Sequence, residues 1–211
     1  MRRGVLCVLM TGLLILSACG AEGGVSPEEE LALTIRGEYL TMAGCTAQLS
    51  VTADYGQRVY EFDMDAAVTG EETVLTLTAP DTVAGIAARV TGETGALEYD
   101  GLILDTGELG PDGLSPMSAF PALLTAAKSG FLTACAMEER EGEELLRVTC
   151  GAPDAAPGEG VETVLWFRPD THELTGGEIW AEGLRVICCQ CKNFRATGQI
   201  TALRREPDVV K

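Results

Sequence analysis

Imidazole is nearly missing: the 211 residues hold a single histidine, His172. Catalysis or metal binding that needs two imidazoles is therefore excluded. Aromatic residues make up only 5%, so stacked-aromatic recognition surfaces are scarce. Positive charge is also short, with 15 Lys and Arg against 32 Asp and Glu, a formal charge of −17. A chain this acidic is repelled by phosphate backbones and by anionic lipid surfaces, which argues against nucleic-acid binding. No GxSxG, HExxH, phosphate-cradling glycine loop or EF-hand spacing occurs, so the common motif-bearing enzymes and calcium switches have no foothold. No cofactor is expected. Beyond the leader, no apolar run approaches the ~20 residues of a membrane-spanning helix.

What is present begins with that leader. Arg2 and Arg3 precede the apolar run Gly4 to Leu16, which is followed by Leu16-Ser17-Ala18-Cys19. A charged start, a short apolar stretch and small residues make a secretory signal. The last four residues resemble the lipobox of bacterial lipoproteins. That resemblance implies that residues 1–18 are removed and that Cys19 carries a diacylglyceryl thioether as the new N-terminus. Residues 19–27 then read as a lipidated cysteine and flexible tether, and the expected location is the outer face of a cell membrane. Two acyl chains meet the two-signal requirement for stable anchoring.

Apolar residues are 46% of the chain, enough for a packed core. Ser26, Pro27 and Glu28-Glu29-Glu30 form a helix start with acids at the dipole's positive end, and the spacing predicts a helix over 27–37. The period then changes to two. Tyr60, Phe62, Met64, Ala66 and Val68 alternate with acids, as in a half-buried antiparallel strand. Similar runs recur about every ten residues, separated by turn signals such as Asp100-Gly101, Glu141-Gly142 and Glu182-Gly183. The expectation is mainly β (α+β): a strongly curved antiparallel meander of about ten strands. One interruption, Ser115 to Lys128, has helical spacing with Pro121 inside it, which predicts a kinked helix or two short ones over the sheet. Val164 and Trp166 lie opposite Leu165 and Phe167, so that strand needs cover on both faces.

A short helix, a long meander and a mid-chain helical insertion together resemble the LolA/LolB-like fold. This is the half-open barrel of lipoprotein carriers, also found in a germination lipoprotein. The residues behind the likeness are Val74 to Pro80, Ala84-Gly85-Ile86, Leu97 to Gly101, Asp112 to Pro116 and Leu165-Trp166-Phe167. The resemblance covers about 28–196 as one domain, leaving 197–211 as a loose tail. It implies a non-enzymatic protein whose concave face, under the inserted helix, takes a lipid acyl chain or an envelope protein partner. Met117, Phe120, Leu123 and Leu124 are the apolar positions of the insertion expected to line such a site. A Cys- or carboxylate-dependent envelope enzyme and a purely structural envelope protein are the alternatives.

Three thiols in four residues, Cys188, Cys189 and Cys191, lack the two-residue gap of zinc knuckles and alternate across a strand. They read as buried small side chains rather than a metal site. His172, in the turn after Pro169-Asp170, reads as solvated surface. The acidic stretch Glu138 to Glu144 reads as a solvated hairpin tip. If that hairpin turns at Gly142-Glu143, Cys135 and Cys150 face each other at a separation that suits a disulfide.

Overall fold

The computed structural model describes residues 24–110, 112–156 and 158–197; the leader, the lipobox and Cys19 lie outside these, as does the tail after 197. Helix α1 (Pro27–Thr41) starts where the sequence places it, Ser26 Oγ accepting from Glu29 N–H at 3.1 Å, and runs four residues further than expected. Six strands follow: β1 (Gly44–Asp54), β2 (Val59–Thr69), β3 (Glu72–Ala79), β4 (Ala87–Thr91), β5 (Thr94–Tyr99) and β6 (Leu102–Glu108). After α2 (Pro116–Ser129) come β7 (Leu132–Arg140), β8 (Glu143–Cys150), β9 (Val161–Phe167), β10 (Leu174–Ala181) and β11 (Leu184–Thr197). The Asp100-Gly101 turn signal is realised: both residues take positive φ and form a two-residue hairpin turn between β5 and β6.

All eleven strands form one antiparallel sheet in the order β6-β5-β4-β3-β2-β1-β11-β10-β9-β8-β7, not closed into a barrel. It comprises two meanders rather than one. The first runs outward from β1 to β6. Helix α2 carries the chain to the opposite edge, and the second meander returns from β7 until β11 pairs with β1 in the middle. The central pairing is long because alternation runs through most of both strands, interrupted by one bulge where Asn193 takes a positive φ and the register shifts between Thr46 and Gln48. Cys45, Ala47, Leu49, Val51 and Ala53 of β1 are buried on the face that also buries Ile187, Cys189 and Cys191 of β11.

Both helices lie on that face and share its core. A single helix α2 runs through Pro121. Its start is held by a Ser115–Ser118 capping box with Pro116 in the first turn, and it buries Phe120, Leu123, Leu124 and Ala127. Gly177 is required for this contact: a Cβ there would stand 2.6 Å from Leu123 Cδ2 and 2.9 Å from the carbonyl of Val164. On the opposite, outer face, Val164 and Trp166 are covered by side chains and not by a helix. Leu145 and Trp180 pack on them, and the Arg140 guanidinium lies 3.9 Å above the Trp166 ring.

Candidate functional site

The helices do not cover the whole inner face. Beside the start of α2, the first meander leaves an apolar hollow of about 300 Å³. Met64, Leu75 and Ala88, one each from β2, β3 and β4, are fully buried at its base. Leu77, Leu97 and Phe62 form its sides, Val83 and Ile86 close the β3–β4 end, and Pro116 and Met117 overhang it. No titratable side chain lines it. The alternation of each strand produces this lining, because the inward residues of β2 to β5 beside the hollow are apolar. The inward surface continues to the sheet edge: Leu97 stands opposite Leu104, and Tyr99 opposite Leu102, so each pair shares a face. The segment entering α2 is fastened to the other rim, where Tyr55 Oη donates to the carbonyl of Leu114 at 2.8 Å. Tyr55, Tyr60 and Phe62 follow one another at ring separations of 6.1 and 6.5 Å.

Of the four residues expected to line a ligand site, Met117 borders this hollow. Phe120, Leu123 and Leu124 sit further along α2, where the second meander rises to meet the helix, and are packed into the core. The hollow's other walls, Leu77, Val83, Ile86 and Leu97, are absent from that expectation. Their signal was an inward apolar row with no second helix to cover it.

The Cys135–Cys150 register needs correction. The hairpin turns at Glu141-Gly142, both with positive φ, one residue earlier than expected. Cys135 therefore stands opposite Val148, and Cys150 opposite Leu132. Both thiols are free. Burial pushes the Cys150 thiol up to about 11 and raises Cys135 as well. Cys189 and Cys191 are buried in the core beside Cys45, while Cys188 lies on the outer face near Glu178 and Arg185. Among the described residues, no group of three or more His, Cys, Asp or Glu is arranged to hold a metal.

His172 also departs from expectation. It adopts φ +59° and its Nδ1 lies 2.8 Å from Glu38 Oε2 on α1. Next to it, Tyr39 Oη donates to the carbonyl of His172 at 3.1 Å and accepts from Leu174 N–H at 2.9 Å. The turn histidine thus belongs to a clasp that fixes α1 to the β9–β10 end of the sheet.

Neither a protein-family model nor a curated protein matches the sequence. Among solved structures, the chain is similar to LprF from Mycobacterium bovis, at 14% identity over 84% of this chain and 98% of that one, with a TM-score of 0.47. It is also similar to the lipoprotein LppX from Mycobacterium tuberculosis, at 15% identity over 82% and 96% of the two chains and a TM-score of 0.45. A third is a LolA superfamily protein from Nitrosomonas europaea, at 9% identity over 80% and 94%, with a TM-score of 0.39. These are likenesses of overall shape.

Proposed function

We propose that this chain is a lipid-anchored extracytoplasmic binding protein that holds an apolar chain, such as a lipid acyl group, in the hollow between β2–β5 and the start of α2. The observation that carries the reading is the lining: a space of about 300 Å³ with no polar side chain other than Ser115 at its rim. A small apolar-lined concavity of this size is at the lower end of ligand pockets. With no charged group inside, it offers nothing for chemistry on a bound molecule. An acyl chain also requires no orienting polar group along its length, only an exit for its headgroup. The lipobox-like Leu16-Ser17-Ala18-Cys19 supports anchoring at Cys19 and an envelope location.

The test uses the full-length protein in mild detergent with a dansyl-labelled undecanoic acid as probe. The expected result is saturable, blue-shifted fluorescence that palmitate displaces. The Ala88→Leu variant, whose added carbons occupy the hollow, should lose that signal. Equal binding by wild type and Ala88→Leu would overturn the reading. Anchoring is tested separately: Cys19→Ala should release the protein from the membrane fraction.

A further inference from the structure

The open sheet has two edges, and they are finished differently. Edge strand β7 carries Glu138, Glu139 and Arg140 and packs against α1. Edge strand β6 has neither protection over its first half. Among the described residues it pairs with β5 alone, and Leu102, Ile103 and Leu104 are 75%, 71% and 65% exposed. Natural sheets block bare edges with charge, proline, bulges or a covering element, because unpaired N–H and C=O groups recruit another strand. The bulge in β6 falls beyond this stretch, opposite Gly95 and Ala96. Counted from the Asp100-Gly101 turn, the antiparallel alternation points the N–H and C=O of Ile103 away from β5.

The charge around this edge selects what can pair with it. Glu93, Glu98, Asp100, Asp105 and Glu108 surround β6. The nearby cation, Arg89, is already engaged by Glu98 at 2.8 Å and Glu72 at 3.5 Å. Leu102 and Leu104 face inward with the hollow, while Ile103 and Asp105 face outward beside Glu98. A second copy of this chain would bring the same acids and a net charge of −17.

We propose that β6 is a strand-addition site for an extended segment of a basic envelope protein. The segment would alternate apolar residues, laid against Leu102 and Leu104, with Lys or Arg directed at Asp105 and the acids at the ends of the edge, Asp100 and Glu108. Main-chain hydrogen bonds along the edge provide affinity, and the alternation provides specificity. The inference stands independently of the hollow's occupant.

The test is fluorescence anisotropy of a labelled peptide of about nine residues alternating lysine and valine, titrated with the full-length protein in detergent. Saturable, salt-weakened binding is expected. The same peptide with alternate amides N-methylated keeps its charge but loses its donors, and should bind at least tenfold more weakly. A glutamate–valine peptide should not bind. Ile103→Pro, tolerable where the N–H faces outward, and Ile103→Lys should each weaken binding at least tenfold with thermal unfolding unchanged. Ala88→Leu should leave it intact, which separates this result from the acyl-chain reading. The proposal is overturned by equal binding of the N-methylated or glutamate–valine peptide, or by undiminished binding to both Ile103 variants. It is also overturned if the protein alone sediments as a dimer that Ile103→Lys dissociates.

Discussion

The two meanders obey the same alternation but reach different ends. In the second, Leu146, Leu165, Phe167, Ile179 and Ile187 are buried under α1 and α2, and the space is filled. In the first, only the opening turn of α2 reaches across, and Leu77, Val83, Ile86 and Leu97 surround a hollow. Geometry explains the difference. Eleven strands span roughly 48 Å at ~4.8 Å per gap, whereas two helices each about 10 Å across cover about 20 Å. The composition differs as well: every cysteine among the described residues belongs to β1 or the second meander. One half is therefore built to be rigid and the other retains room, so equal perturbations should have unequal consequences.

Truncation in α2 should separate the halves most. Phe120 is completely buried, and Phe120→Ala should lose about 3–5 kcal/mol, the usual cost of deleting a core aromatic ring. Met117 is one turn earlier and borders a space already empty, so Met117→Ala should lose less than about 2 kcal/mol. Urea midpoints of the two variants measure the contrast, and equal losses would show that the hollow is not there.

Base should act first on the filled half, where the buried thiols lie. Burial pushes Cys45 and Cys150 up to about 11, and Tyr39, in the same core, is raised by burial too. A thiol raised in the folded state holds its proton after the unfolded chain has released its own. Its contribution to stability is therefore complete below the ordinary thiol range and is lost as pH climbs toward about 11, by up to about 1.4 kcal/mol per pH unit for each group. The urea midpoint should fall over that window, and Cys45→Ala should make the fall shallower. Acyl-probe binding to the surviving folded protein should not follow it, because no cysteine borders the hollow.

The outer face of the second meander should yield a smaller effect. Glu178 is buried and joins Arg185 at 2.9 Å and Trp180 Nε1 at 3.1 Å, with Arg140 at 3.9 Å. Arg140 in turn covers Trp166. Glu178→Gln keeps the shape and a hydrogen-bond acceptor but removes the charge, and should lose about 1–2 kcal/mol, since the half-exposed Arg185 can turn to water. Tryptophan emission should report the loosened Arg140–Trp166 contact.

The strands were legible in the sequence because most bury one face, and Tyr60 to Val68 or Val161 to Phe167 display that directly. The turn glycines and Ser26 and Ser115 marked element ends for equally local reasons. Pairing order was not legible: nothing in β1 or β11 announces that they meet across the whole chain, so one meander was the simpler reading. The Glu138 to Glu144 tip admits two registers one residue apart, and only the positive φ at Glu141 and Gly142 selects between them. For the site, the helical period of 115–128 identified α2's buried stripe but could not divide it. Leu123 fits a gap left by Gly177 on β10, and Phe120 and Leu124 are packed into the same core, while Met117 overhangs the hollow beside β2 to β5. That division depends on where α2 crosses the sheet, which is a tertiary fact.

The finest probe of the difference adds volume rather than removing it. Ala119 in α2 is completely buried against the filled core, and Ala88 is equally buried at the base of the hollow. Their exposures match, so burial alone assigns them the same tolerance. Ala119→Leu must displace neighbours already in contact and should lose about 1–3 kcal/mol, the usual penalty for overpacking. Ala88→Leu extends its added carbons into open space lined by Leu75, Leu97 and Met117. It gains apolar contact there against the lower β propensity of Leu, so its urea midpoint should stay within about 0.5 kcal/mol of wild type. A loss above about 1 kcal/mol at Ala88 would mean that the first meander is as full as the second and that the contrast between them is wrong.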